Sequence, residues 1–99
     1  MFFLVTAYDY LDSTAPERRL AARKSHLSYG ESLVEKGFLV YATAILNSKE
    51  EMIGSLIVYE VETKKQLDEI MANEPYIKND VWEKINIQKC RPGPLFLKG

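Results

Sequence analysis

The only histidine in the chain, His26, lies in the stretch RRLAARKSHLSYGESL at residues 18–33. Imidazole titrates near neutrality and can take or give a proton, so a histidine carried on a helix is a candidate general acid/base. If the stretch is helical, Arg19, Arg23, His26, Gly30 and Leu33 fall along one line, because steps of three and four residues return to the same face. Arg23 and Arg19 are then candidates to hold a substrate carboxylate or phosphate through paired N–H donors. A histidine in this role wants a carboxylate to orient it. Two are candidates: Asp9, just past the first strand, and Glu74, immediately before Pro75. Tyr76 and Trp82 are candidates to wall an apolar cleft.

Each of these residues also has a plainer reading. A lone histidine is more often a surface or structurally hydrogen-bonded side chain, arginines on a helix flank are usually solvated or paired, and an aromatic after a turn usually packs in a core. Gly30 costs about 1 kcal/mol against alanine in a helix. It marks either a pocket floor below the imidazole or the close approach of a strand. Geometry separates the two classes of function: an enzyme needs His26 within reach of a carboxylate and open to a cleft, whereas a structural histidine is buried and satisfied by backbone. No Gly-rich phosphate loop, serine elbow or Cys–His nucleophile pattern is present. Cys90 and His26, one of each type, cannot build the usual zinc cage, so neither a metal nor a cofactor is expected.

These residues need a scaffold, and 99 residues suffice for one domain, 1–99, but not for two that each bury a core. Hydrophobic residues at 46% and charged residues at 27% exclude a disordered chain. The net charge of −1 is spread without blocks of one sign, so no nucleic-acid or membrane-surface footprint is expected. The opening MFFLVTAYD lacks the basic and long apolar regions of a signal peptide, and the cytoplasm is the expected location.

Residues 2–8, FFLVTAY, alternate as a strand that places Phe3, Val5, Ala7 and then Asp9 on one side. Thr14-Ala15-Pro16-Glu17 has the form of a capping box opening a helix, with Pro16 tolerated in the first turn. That helix is expected to run to about Lys36 and stop at Gly37, with Leu20, Leu27 and Val34 as its apolar line, widened by Ala21, Ala22 and Leu33. Strands are expected at 38–46 and 55–61, joined by the polar NSKEEMIG. Thr63-Lys64-Lys65-Gln66 opens a short second helix, Pro75 turns the chain outward, a helical turn is expected at 78–82, and a last strand occupies roughly 83–90. RPGPLFLKG is a turn plus an apolar tail.

The order β-α-β-β-α-β predicts an α+β, ferredoxin-like fold, a four-stranded antiparallel sheet with both helices on one face. The second strand is apolar on both sides, so the uncovered sheet face predicts a homodimer closing sheet on sheet, with Leu95 to Leu97 helping to cover a subunit edge.

Several segments together, AYD, ERRLAARKSHL, KGFLVYA, GSLIVYEV, NEPYIKNDVW and INIQK, resemble the YciI-like (YCII-related) family over nearly the whole chain. The resemblance implies a ferredoxin-like subunit of a dimeric α+β barrel, with a site built around a helix histidine and an aspartate. On this chain those positions fall on His26, with Arg23 preceding it, on Asp9, and on Glu74-Pro75-Tyr76 where the family has Asp-Pro-Tyr or Asp-Pro-Phe. The family is similar to dehalogenase and muconolactone-type proteins, and the resemblance supplies a site and not a substrate. The collinear Arg23–His26–Gly30 set taken with it leads to the expectation of a general acid/base acting on a small organic acid or lactone-like substrate, a small anionic metabolite. The alternative is a non-catalytic metabolite-binding or accessory homodimer. There are two departures from the pattern. Glu74 adds a methylene, which carries its carboxylate about 1.5 Å farther unless it folds back, and Thr43-Ala44 stand where a Gly-Pro pair is common.

Overall fold

In the computed structural model, which describes residues 1–97, one antiparallel sheet carries three helical segments. Strand β1 spans Phe2–Asp9, helix α1 Ala15–Glu35, β2 Leu39–Leu46, β3 Met52–Glu60, α2 Lys64–Ala72, the single-turn α3 Pro75–Lys78 and β4 Trp82–Cys90. The strand order is β2-β3-β1-β4, with every neighbouring pair antiparallel, which is the ferredoxin-like arrangement. A 3-10 turn at Pro94–Phe96 closes the described chain, and Lys98 and Gly99 of the expected tail lie outside the described residues.

Alternation along β1 sends Phe3, Val5, Ala7 and Asp9 to the helix side, where all four are buried. Cross-strand partners share a face, so Val5 lies between Ile57 and Ile87, and Ala7 between Ser55 and Ile85. A register shift between Tyr8 and Asp9 sets Asp9 opposite Trp82 at one end of the sheet. The core is closed from above by Leu67, Ile70 and Met71 of α2, by Tyr76, and by Ala22 and Leu33 of α1. Gly54 is the one strand glycine that close approach demands, since a Cβ there would meet the Ala7 carbonyl oxygen at 2.4 Å.

Helix α1 ends as expected. Gly37 takes φ +79°, its N–H donates to the Val34 carbonyl and that of Phe38 to Leu33, the paired bonds of a Schellman stop. Thr63 also caps α2 as expected, accepting from the Gln66 N–H, while Gln66 reaches back to the Glu62 N–H.

Other expectations are corrected. Leu20, Leu27 and Val34 are 75%, 55% and 56% exposed, so they do not face the core; α1 buries Ala15, Arg19, Ala22 and Leu33 instead. Ala21 is likewise exposed. The side that meets the sheet is interrupted by Arg19 and His26, which a count of apolar residues passes over. Thr14 forms no capping box, because its hydroxyl donates to Asp12 and accepts from Arg18. Strand β3 begins at Met52, three residues earlier than expected. The helical turn falls at Pro75–Lys78 and not at 78–82, since proline's fixed φ suits the first helical position and Glu74 caps the turn.

Candidate active site

The site forms where α1 crosses the sheet end that carries Asp9, Ser55 and Trp82. Its two polar pairs are both anchored on α1. Arg19 and His26 lie seven residues apart, about two helical turns, and point toward the same layer.

At the first, Arg19 Nη1 donates to both carboxylate oxygens of Asp9, at 2.8 and 2.9 Å, while Nη2 donates to the Gly54 carbonyl at 3.2 Å and the Ser55 hydroxyl at 3.4 Å. Both side chains are 10% exposed. Burial raises the Asp9 carboxyl above its ordinary range, and the Arg19 charge and hydrogen bond draw it back. At the second, His26 Nδ1 meets Glu74 Oε1 at 2.5 Å. Glu74 is 2% exposed, and the same oxygen accepts the Tyr76 N–H at 3.1 Å, so the carboxylate folds back as the cap of α3 while it holds the imidazole. The extra methylene of glutamate therefore does not break the contact.

The imidazole is fixed on further sides. Tyr76 stacks on it at 3.7 Å between centroids with 4° between planes, and Trp82 meets it edge-on at 5.9 Å. The Arg19 guanidinium lies over the Tyr76 ring, 4.9 Å from its centroid, so Tyr76 links the two pairs. Nε2 of His26 has no protein partner among the described residues, and the residue lines a cleft of about 210 Å³. The other walls are Arg19, Arg23, Leu27, Ala42, Thr43, Ala44, Met52, Ser55, Ile57 and Tyr76. Burial pushes the Tyr76 hydroxyl up against the lowering pull of Arg19 and Arg23, which keeps it a donor at neutral pH. Among the described residues, the buried donors Arg19 Nε, Tyr59 Oη and Trp82 Nε1 have no hydrogen-bond partner.

Of the sequence candidates, the structure brings His26, Tyr76, Arg19 and Arg23 to one cleft, and sets Glu74 behind the imidazole and Asp9 behind Arg19. Asp9 and Glu74 are not alternatives for one role: Glu74 meets the histidine, and Asp9 meets Arg19. Arg19, expected to face an anion, is committed to Asp9, whereas Arg23 is exposed and its side chain touches only the Met52 sulfur, at 3.9 Å, among the described hydrogen-bond contacts. Tyr76 and Trp82 are buried in the core as well as set against the imidazole. Residues missed in the sequence are Ser55, Ala42 and Met52, whereas Thr43 and Ala44, where the family often has a Gly-Pro pair, do line the cleft. Ser55 had a signal, a hydroxyl on the inward parity of the otherwise apolar GSLIVYEV.

The sequence matches the YCII-related domain over residues 1–91. The chain belongs to the YCII-related family. No functionally curated protein matches it. Among solved structures, this YCII-related chain is similar to 5-chloro-2-hydroxyhydroquinone dehydrochlorinase from Burkholderia phenoliruptrix AC1100, in complex with 2,5-dihydroxybenzoquinone, with a TM-score of 0.81 and 21% identity over 94% of this chain and 96% of that one. It is also similar to a cofactor-independent oxygenase from Streptomyces nogalater, with TM-score 0.54 and 9% identity over 94% of each chain. A dimeric ferredoxin-like protein from an uncultured marine organism matches with TM-score 0.52 and 18% identity, over 88% of this chain and 83% of that one. At these identities the likeness is one of fold.

Proposed function

We propose that this YCII-related chain is an enzyme in which His26 moves a proton on a small anionic substrate, with Glu74 orienting the imidazole and Arg23 meeting the substrate's charge. The observation that carries the reading is the Nδ1 contact with Glu74 Oε1 in an imidazole that lines a cleft. With Nδ1–H donating to the carboxylate, the lone pair sits on Nε2, and the imidazolium formed on proton uptake faces a negative charge. Arg23 is the cleft cation free of a carboxylate among the described salt bridges. Asp9 acts at a distance, by holding Arg19 beneath Tyr76.

Organic acids, lactones and oxygenated rings share an acidic proton next to a carbonyl, which is what such a base removes. The likeness to a dehydrochlorinase seen with a hydroxylated quinone favours the ring within this class. On the keto tautomer of a chlorinated hydroxylated ring, the chlorine-bearing carbon is tetrahedral and already carries a hydrogen. Nε2 takes a ring hydroxyl proton, the O–H electron pair becomes a C=O π bond, the ring double bond shifts toward the tetrahedral carbon, and chlorine leaves as chloride with its bonding pair. The test is turnover of chlorinated hydroxyhydroquinones and of enol lactones, followed by absorbance and chloride release. His26→Ala is expected to lower the rate about 10²- to 10⁴-fold. Turnover that His26→Ala leaves unchanged rules the mechanism out, and tight binding without turnover favours the metabolite-binding alternative.

The same reading includes a homodimer. The sheet face away from the helices carries Leu4, Leu56 and Val58, with Tyr8 and Tyr41 44% and 58% exposed, an apolar surface of the kind a second copy covers. The dimeric ferredoxin-like neighbour supports it. Light scattering after size exclusion is expected to give twice the 11.4 kDa chain mass. Among the described residues no helix is long and apolar enough to cross a membrane, and the lone Cys90 suits the reducing cytoplasm.

A further inference from the structure

The cleft at His26 is small. Its volume of about 210 Å³ falls below the roughly 300–1,000 Å³ of ordinary ligand pockets. Beyond Arg23 and Met52 lies a second hollow of about 440 Å³, which shares Arg19, Arg23 and Met52 with the first and adds Leu11, Ala15, Leu20 and Ile53 among its walls. The Arg23 Nη1 to Met52 Sδ contact at 3.9 Å joins α1 to β3 along that shared wall. A thioether is a weak acceptor and both side chains are long and exposed, so either can swing aside.

The chemistry of the outer hollow differs from that around His26. Most of its polar groups are already engaged: Asp9 with Arg19, Asp12 with Arg18 outside the hollow, and Glu51 with Asn47. The exceptions are Arg23 on the shared wall and the Tyr10 hydroxyl, which makes no hydrogen bond among the described residues, so what the hollow offers a ligand is chiefly apolar surface. Leu11 and Leu20, large side chains 88% and 75% exposed, stand at this hollow, and Leu27, 55% exposed, stands at the inner cleft. Leu20 and Leu27 thus serve not the core but the walls of these two hollows.

We infer that the two hollows form one substrate cleft, divided by the Arg23–Met52 contact, and that the substrate has two parts. An oxygenated head lies at His26 with its anionic oxygen at Arg23, and an uncharged apolar arm of several carbons occupies the outer hollow. The inference rests on the proposed role of His26 and adds the substrate class.

The test is an amide NMR titration of the full chain with 2,5-dihydroxybenzoquinone and with its 3-butyl and 3-hexyl derivatives. The parent ring is expected to shift Ala42, Ala44 and Ser55. The alkyl derivatives are expected to add shifts at Leu11, Leu20 and Ile53 and, at up to about fourfold per buried methylene, to bind at least about tenfold tighter. The double variant Leu11→Ser/Leu20→Ser, at exposed positions that leave the fold intact, is expected to lose that gain while keeping the affinity for the parent ring. Alkyl derivatives that bind no tighter than the parent, or a gain that survives the double variant, overturn the two-part cleft and leave the His26 reading standing. A parent ring that shifts none of the His26 wall overturns the ring-binding reading and the inference with it.

Discussion

The two polar pairs on α1 are built from similar parts and do different work. Arg19–Asp9 is closed: its carboxylate oxygens and both terminal guanidinium nitrogens are occupied, and neither side chain is more than 10% exposed. His26–Glu74 is closed on the carboxylate and open on the imidazole, which is 18% exposed and has one nitrogen unpartnered. A permanently charged guanidinium sealed against a carboxylate fixes geometry, because neither partner can change state without leaving the other charge buried. An imidazole can change state, and its free nitrogen is where the change reaches the cleft. Tyr76 lies between Arg19 and His26, in contact with the guanidinium of the first pair and the imidazole of the second.

The largest expected effect breaks the closed pair. Arg19→Met leaves Asp9 buried without its cation and is expected to cost about 3–5 kcal/mol at neutral pH, measured by urea unfolding. Arg19→Met/Asp9→Leu is expected to recover most of that loss, since no charge then remains to be solvated. If the double variant is no more stable than the single one, the pair's role is not the one described.

Gly30 sharpens the contrast along the same helix. A Cβ there would meet only the Leu39 Cδ1, at an ordinary 3.8 Å, so neither a pocket floor nor a strand requires the glycine. Gly30→Ala is expected to stabilise the fold by about 0.5–1 kcal/mol without altering turnover. A loss of stability in thermal melts would mean that α1 sits closer to β2 than described.

A smaller effect separates Asp9 from an exposed carboxylate. Burial raises Asp9, so just above its ordinary 3.8 the folded chain holds a proton that the unfolded chain has released, and stability falls as pH rises through that interval. Asp12, exposed and held low by its hydrogen bonds to Arg18, does the reverse: stability rises with pH up to 3.8. In pH-resolved unfolding, Asp9→Asn is expected to remove the falling limb and Asp12→Asn the rising one. Identical profiles for the two variants would contradict the assignment.

Much of the scaffold was legible because it depends on local rules. The parity of FFLVTAYD carries Asp9 to the buried side, glycine permits the left-handed stop at Gly37, and Thr63 caps α2. The inward side of α1 was not legible, because Leu20, Leu27 and Val34 outrank Arg19 and His26 on any scale of residue type. What buries Arg19 is Asp9, and what buries Glu74 is α3 together with His26 across 48 positions of sequence. The choice between Asp9 and Glu74 as the histidine's partner likewise needed the tertiary placement that sets the end of β1 and the junction of α2 with α3 beside different turns of α1. Local chemistry proposed both carboxylates, and only tertiary placement sorted them.

The most direct measurement is the tautomeric state of His26 by ¹⁵N NMR of the imidazole, in the wild type and in Glu74→Ala, with the neutral ring observed. An oriented base requires the proton on Nδ1 and the lone pair on Nε2 in the wild type, with that preference lost in the variant. An Nε2–H tautomer in the wild type, or the same tautomer in both proteins, would contradict the role given to Glu74 and, with it, the proton-transfer site.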